Sequence, residues 1–206
     1  MVDLGDDQAD GAWLIPLPVH VEPVSEVRGT VLVAGREQLR ITGIFESYSA
    51  ELSPDSRAAL DEVIAVSWVP VELAHAHYAA LDRLRMDPVT IERTARVVAS
   101  KLNGIFFGTT AQAARVAGVT PWAGARIMVS GWGRLFKGGA PALQRVGPKE
   151  AIVVAAGNPL LTHRYHRIAL RVNFARVAEM FTHHAIAREI AYDEARQTLN
   201  IRLQWV

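Results

Sequence analysis

The spacing of apolar residues changes three times along the chain, and each change marks a different kind of element. In Trp13-Leu14-Ile15-Pro16-Leu17-Pro18-Val19-His20-Val21 two prolines bar a helix and push their predecessors toward extended geometry. That predicts an edge strand or a strap lying on the body of the domain. Thr30-Val31-Leu32-Val33-Ala34 is short, β-branched and bounded by Gly29 and Gly35, the pattern of a strand. From Glu37 to Met180 the spacing is mostly helical, and helix starts carry a repeated device: a capping residue followed by proline at the first helical position. Ser53-Pro54, Asp87-Pro88 and Thr120-Pro121 all show it. Pro70 opens a further helix after Trp68, without a cap.

The helix expected from Pro88 to about Phe107 places Ile91, Ala95, Val98, Leu102 and Ile105 on one seam, a core face. A short helix from about Thr110 to Ala117 stops at Gly118, and another runs from Pro121 to about Phe136 before Gly138-Gly139. Ala151 to Ala156 reads as a buried strand ending at Gly157-Asn158-Pro159, and the stretch from about Thr162 to Ala185 as a long helix. Finally Glu189 to Tyr192 and Thr198 to Trp205 flank a polar turn at Asp193 to Arg196. In the last run Leu199, Ile201, Leu203 and Trp205 alternate with polar residues, a half-buried strand. The fold class expected is α+β: helices packed on a small antiparallel sheet, with one long helix between C-terminal strands. Residues 1–11 read as a mobile acidic tail and residues 12–206 as a single domain.

Composition narrows the function classes. Half of the 206 residues are hydrophobic, 21% are charged and none is cysteine, which excludes disorder and a disulfide scaffold. Every apolar stretch is interrupted well before the roughly 20 residues a bilayer requires, so no membrane span is expected. Asp3, Asp6, Asp7 and Asp10 stand where a secretory signal would need positive charge, so a cytoplasmic location is expected. The formal net charge of +1 conceals two opposite halves. Residues 1–92 hold 16 acids and 6 bases, residues 93–206 hold 5 acids and 16 bases, and no acid falls between Arg93 and Lys149. Either the acidic half folds over the basic segment or its bases sit on separate faces in solvent, or an anionic partner such as nucleic acid, phosphate or an acidic protein surface binds it.

Reactive motifs are few. His75 and His77 are two apart on a helix and diverge, as do the adjacent His183 and His184. His163 and His166 can face one another but form only half a metal site, so hydrogen-bonded or solvated histidines are the expected state and no metal or other cofactor is assigned. No Gly-x-Ser-x-Gly elbow and no phosphate loop occur. The carboxylates of the first half sit at helix edges and turns, where solvation is their ordinary state. No catalytic residue is assigned, and the chain is not read as an enzyme. The cluster that stands out for a ligand or an anion is Arg126, Trp132, Arg134, Phe136 and Lys137: the two aromatics are four apart on a helix with bases beside them. The competing reading buries both rings in the core with the bases directed outward.

Gly43-Ile44-Phe45 at a helix start, Trp68-Val69-Pro70-Val71-Glu72, the Gly104-Ile105-Phe106-Phe107-Gly108 helix end, Leu135 to Gly139 and the terminal Ile201-Arg202-Leu203-Gln204-Trp205 follow one another in an order that resembles a paralogous myxobacterial domain family of unknown function. The resemblance covers roughly residues 28–206. That family is similar in layout to the ligand-binding fold of haem nitric-oxide sensors, vinyl-reductase-like domains and vesicle-tethering subunits. The resemblance implies a sensing or assembly domain with no established reaction. Two departures bear on cofactors. The haem sensors hold propionates with Tyr-x-Ser-x-Arg, whereas Tyr48-Ser49-Ala50-Glu51-Leu52 lacks the Ser and Arg at those offsets, and the cysteines of vinyl-reductase-like domains have no counterpart.

The expectation is a non-catalytic regulatory, sensory or assembly domain acting through a protein partner or self-association, with a small apolar ligand between helices and sheet. The C-terminal strand and the long helix before it are the surfaces expected to need a cover. The alternative is anion or nucleic-acid binding through residues 93–149.

Overall fold

A computed structural model describes residues 11–116, 122, 127 and 131–206. The chain begins with a strand β1 (Trp13–Ile15), followed by β2 (Glu26–Arg28), α1 (Gly29–Ile41), α2 (Phe45–Ala50) and α3 (Pro54–Asp61). Next come β3 (Trp68–Pro70), α4 (Val71–Arg83) and the long α5 (Pro88–Val116). A helical stretch described over residues 131–135, here α6, leads into β4 (Phe136–Lys137), β5 (Ala140–Gly147) and β6 (Glu150–Ala156). A 3₁₀ turn (Pro159–Thr162), α7 (Arg164–Ala178) and the hairpin β7 (Ala185–Asp193) and β8 (Thr198–Trp205) complete it.

The fold is α+β. Five strands pair antiparallel in the order β1-β5-β6-β8-β7, and three short ones form a second sheet in the order β3-β2-β4. The long helix α7 lies between the C-terminal strands β6 and β7, as the periodicity implied. It is buried around much of its circumference, because it packs on α5 from one side and on β7 and β8 from the other.

β6 is apolar without alternation because both of its faces are covered. Ala151, Val153 and Ala155 join the main core under the helices, whereas Ile152 and Val154 pack with Ala142 and Leu17 on the opposite face. Leu17 belongs to the proline-rich strap, so that segment covers the outer side of the sheet. Further along the strap, Val24 donates to the Gly157 carbonyl and Gly139 donates to that of Glu22. Gly138, at φ +85°, must be glycine on two counts: a Cβ there would meet the Pro23 carbonyl oxygen at 2.2 Å, and the left-handed backbone disfavours any side chain.

Several expectations change. Thr30 to Ala34 is not a strand but the first turns of α1. Leu32 and Ala34 of this run are buried and Val31 is partly buried against the core, and helix propensity yields to that packing. The helix expected to break near Gly108 continues unbroken to Val116, while Ile105 points to solvent. α7 ends at Ala178 instead of Ala185. β5 had no forecast, and Trp68 to Pro70 is a strand with its helix starting one residue later. The caps at Ser53 and Asp87 form: Ser53 Oγ accepts from the Ser56 N–H (3.1 Å) and Asp87 Oδ1 from that of Thr90 (3.0 Å). Thr120-Pro121 and the tail at residues 1–10 lie outside the described residues. Both edges of β8 are paired, so the free sheet edge on that side belongs to β7. No described helix is long and apolar enough to cross a membrane.

Candidate functional site

A cavity of about 70 Å³ lies among α1, α4, α5 and α7, with Leu135 and Phe136 also on its lining. It lies within the helical layer, not between helices and the five-stranded sheet. Its wall is mostly aliphatic, with Leu39, Ala99, Leu102 and Leu170 among the lining side chains, and it is interrupted by His77, Tyr78, Tyr165, His166 and Asn173.

Sequence position explains how each polar group arrives there. His77 shares a face of α4 with Ala74, Tyr78 and Leu81, all buried. His166 and Asn173 are seven residues apart on α7, two turns along one face, about 10 Å by the helical rise. Gly35 occupies the middle of α1 opposite His77. A Cβ there would sit 3.6 Å from His77 Nε2, an ordinary contact, so sterics alone do not require glycine.

Both histidines are almost fully buried, His77 2% and His166 3% exposed. Burial, reinforced by the nearby charges of Arg36 and His163, pushes His77 down to about 3, and burial with the fields of His163, His75 and His77 does the same to His166. Both are therefore neutral at physiological pH, with one ring N–H each. Partners fix which nitrogen carries it. The buried Tyr48 hydroxyl meets His77 Nδ1 at 2.6 Å and shows no other hydrogen bond among the described residues, so it donates to Nδ1 and leaves the proton of His77 on Nε2. Burial also raises the Tyr48 phenol, which keeps it protonated. For His166, the Asn158 carboxamide oxygen accepts from the Leu160 N–H at 3.0 Å, which orients its Nδ2 toward His166 Nε2 at 3.2 Å. The His166 proton then lies on Nδ1, a buried donor with no protein partner. Asn173 Oδ1 is likewise buried and unpaired. Such a group costs about 1–3 kcal/mol, and buried side-chain atoms of Arg36, Asn103, Gln144, Arg167 and Asn200 also lack a hydrogen-bond partner.

A second cluster sits at the junction of α4 with α7. His75 Nδ1 meets His163 Nε2 at 2.9 Å, and His163 Nδ1 is 3.6 Å from Asp82 Oδ2. Asp82 also accepts from the N–H groups of Arg164 and Tyr165, at 2.9 and 2.8 Å, and so caps α7 from another helix. Burial pulls the Asp82 carboxyl upward, but His163 and these two amides outweigh it and hold it below the usual carboxylate range. His75 is lowered, first by burial and then by His163. His163 and His166, paired by spacing in the sequence, turn apart: one to His75 and Asp82, the other to Asn158. Among the described residues no three His, Cys, Asp or Glu side chains are placed to hold a metal ion.

Of the residues singled out by sequence, Trp132 and Phe136 are buried with ring centroids 4.6 Å apart, and Trp132 Nε1 donates to the Gly138 carbonyl at 2.9 Å. Phe136 lines the main cavity and Trp132 a neighbouring one of about 20 Å³. Lys137 pairs with Glu26 and lies over Trp68, Arg134 donates to the Phe106 carbonyl, and Arg126 lies outside the described residues. Sequence reasoning missed Gly35, Tyr48, Asn173 and the inward role of His77 and His166. The available signal was spacing: Ala74, His77, Tyr78 and Leu81 follow the i, i+3, i+4, i+7 pattern of a core face.

An antiparallel sheet carrying a layer of helices, with a cavity inside that layer, defines this molecule as an α+β domain with an interior pocket. No family model matches the chain, and no curated protein matches it. A solved structure described as "Modulating Heme Redox Potential Through Protein-Induced Porphyrin Distortion" shares the fold. It is 9% identical, with a TM-score of 0.52, over 86% of this chain and 99% of that one. A porphyrin does not fit the cavity of this chain. About 70 Å³ is far below the roughly 300–1,000 Å³ of pockets that enclose drug-sized ligands.

Proposed function

We propose that this chain is a non-catalytic sensory or regulatory domain that takes up a small ligand in the cavity between α1, α4, α5 and α7 and passes its occupancy to a protein partner or a second copy. The observation that carries this reading is the cavity itself, a mostly aliphatic space among four helices into whose lining His77, His166 and Asn173 are set. Two features support it. Gly35 stands mid-helix, where glycine costs roughly 0.5–1 kcal/mol relative to alanine, although the space would accept a Cβ; its lack of a side chain leaves the cavity open. The cavity is also walled by four helices that come from distant parts of the chain, so a ligand touching all of them can shift how they pack. A relation to the myxobacterial domain family, and through it to haem nitric-oxide sensors, is part of the same proposal, with the haem replaced by a smaller ligand.

The test is native mass spectrometry of freshly purified protein, joined to ¹H–¹⁵N NMR titration with a library of neutral compounds of up to eight heavy atoms. Retained mass, or saturable shifts at Gly35, His77, His166 and Asn173, is expected. A library that leaves those resonances unmoved overturns the reading.

A further inference from the structure

Four strands share one cross-strand row on the outer face of the five-stranded sheet. Gln144 stands opposite Ile152, Ile152 opposite Arg202 and Arg202 opposite Arg188. Residues directly opposite on antiparallel strands share a face, so all four lie on the side where Leu17 of the strap covers Ile152. The strap leaves the far end of the row bare, for Arg188 and Arg202 are both exposed. Like charges directly opposite one another destabilise a strand pair. Glu150 offsets one of them: it pairs with Arg202 Nε at 3.3 Å and accepts from Gln204 at 3.0 Å. The Arg188 side chain shows no ion pair or hydrogen bond among the described residues. This end of the face therefore calls for a further carboxylate.

Charge and reach name the occupant. The described chain begins at Gly11, whose carbonyl accepts from Gln144 Nε2 at 3.0 Å, so it starts at the opposite end of the same row. With neighbouring strands about 4.8 Å apart, Arg202 lies two strands from Gln144, about 10 Å, and Arg188 three, about 14 Å. Residues 1–10 contain Asp3, Asp6, Asp7 and Asp10 and neither Lys nor Arg. An extended chain advances roughly 3.3 Å per residue, so Asp7 and Asp6, four and five residues before Gly11, reach about 13 and 17 Å. We infer that residues 1–10 cross the outer face of the sheet and that the carboxylates of Asp6 and Asp7 seat on the guanidiniums of Arg188 and Arg202. Leu4 then comes within reach of Ile186, which is 43% exposed two residues before Arg188 on the same face. An acidic partner of this face has to displace the segment, which competes with it for the two arginines. The contact is separate from the cavity and does not depend on its occupancy.

The chain has no cysteine, so a nitroxide attached to Gln8→Cys marks the segment at a single place. In ¹H–¹⁵N spectra of the full chain at low salt, the label should broaden the amides of Ile186, Arg188 and Arg202 and leave those of α3 sharp. The broadening should be lost at 1 M salt, where the screening length falls to roughly 3 Å, and lost in Arg188→Glu with Arg202→Glu. Adding Asp6→Arg and Asp7→Arg to that variant should restore it, which a purely structural effect of the arginines would not do. If the arginine variant fails to fold, Asp6→Asn with Asp7→Asn, which leaves the folded body unchanged, should release the label in the same way. Sharp amides at Arg188 and Arg202 in the labelled chain overturn the inference, as does broadening that survives both high salt and the substitutions. Broadening of an unlabelled ¹⁵N chain by a labelled ¹⁴N chain places the segment on a second copy and overturns the contact within one chain. Shifts at Arg188 and Arg202 on adding hexa-aspartate, with no broadening from the label, give the face to an acidic partner and overturn it too.

Discussion

Two imidazoles that are neutral inside the fold and basic outside it make stability depend on acidity. The unfolded chain protonates His77 and His166 near their ordinary 6.5, whereas the folded chain resists until about 3. Between those values the unfolded state binds more protons, so folding free energy rises with pH and is lost as pH falls through that window. Each imidazole adds a slope approaching about 1.4 kcal/mol per pH unit, and the lowered His75 acts in the same direction. The urea midpoint should fall steadily from pH 7 to pH 4.5, with a shallower slope in His166→Phe; a flat profile would mean the rings are not held neutral. Gly35 gives the second prediction at this scale. Gly35→Ala should raise stability by about 0.5–1 kcal/mol, the helix-interior difference, because the new methyl meets His77 only at van der Waals distance. The same methyl narrows the cavity, so thermal midpoint and ligand uptake should move in opposite directions. Little of this was legible beforehand: a histidine two residues from another looks the same whether it faces solvent or a void.

At the scale of elements, local and long-range caps do different work. Ser53 closes its own helix, so Ser53→Ala should cost about 1 kcal/mol and no more. Asp82 instead accepts two amides of α7 from α4, so Asp82→Ala uncaps one helix and separates it from another. A loss of about 2 kcal/mol is expected for one part-buried and one exposed amide left uncapped, with Asp82→Asn intermediate, measured by urea unfolding. Equal losses for Ser53→Ala and Asp82→Ala would deny the tie between the two helices. The caps at Ser53 and Asp87 and the alternation in β8 were readable because they depend on residues within a few positions of one another. The start of α1 was misread because a β-branched run bounded by glycines fits either structure until a neighbour is present to pack on it. β5 escaped notice because Ala140 to Gly147 draws its burial from β1 and β6, not from any pattern of its own.

For the whole molecule, the two electrostatic halves meet in part across the fold. Lys101 of the basic segment pairs with Glu37 and Lys137 with Glu26, and further along the basic half Arg171 pairs with Glu92. The first two pairs are half-exposed, and such pairs are worth about 0.2–1 kcal/mol each. Glu37→Gln and Glu26→Gln should therefore each cost less than about 1 kcal/mol, with the loss shrinking as salt is raised, checked by urea unfolding at two ionic strengths. A loss several times larger would show that the pairs hold the halves together.

By itself the sequence determined what short-range chemistry can specify. That covers the α+β class, the helix starts with their proline and capping residues, the strap at the amino end, the long C-terminal helix and the alternation of the last strand. Each follows from backbone restriction or apolar spacing within one element. The tertiary structure alone decided which side chains face one another: Tyr48 against His77, Asn158 against His166, Asp82 under α7, and a void among four helices. Those meetings depend on how distant elements pack. Burial then sets the protonation and donor sense that no stretch of sequence carries alone.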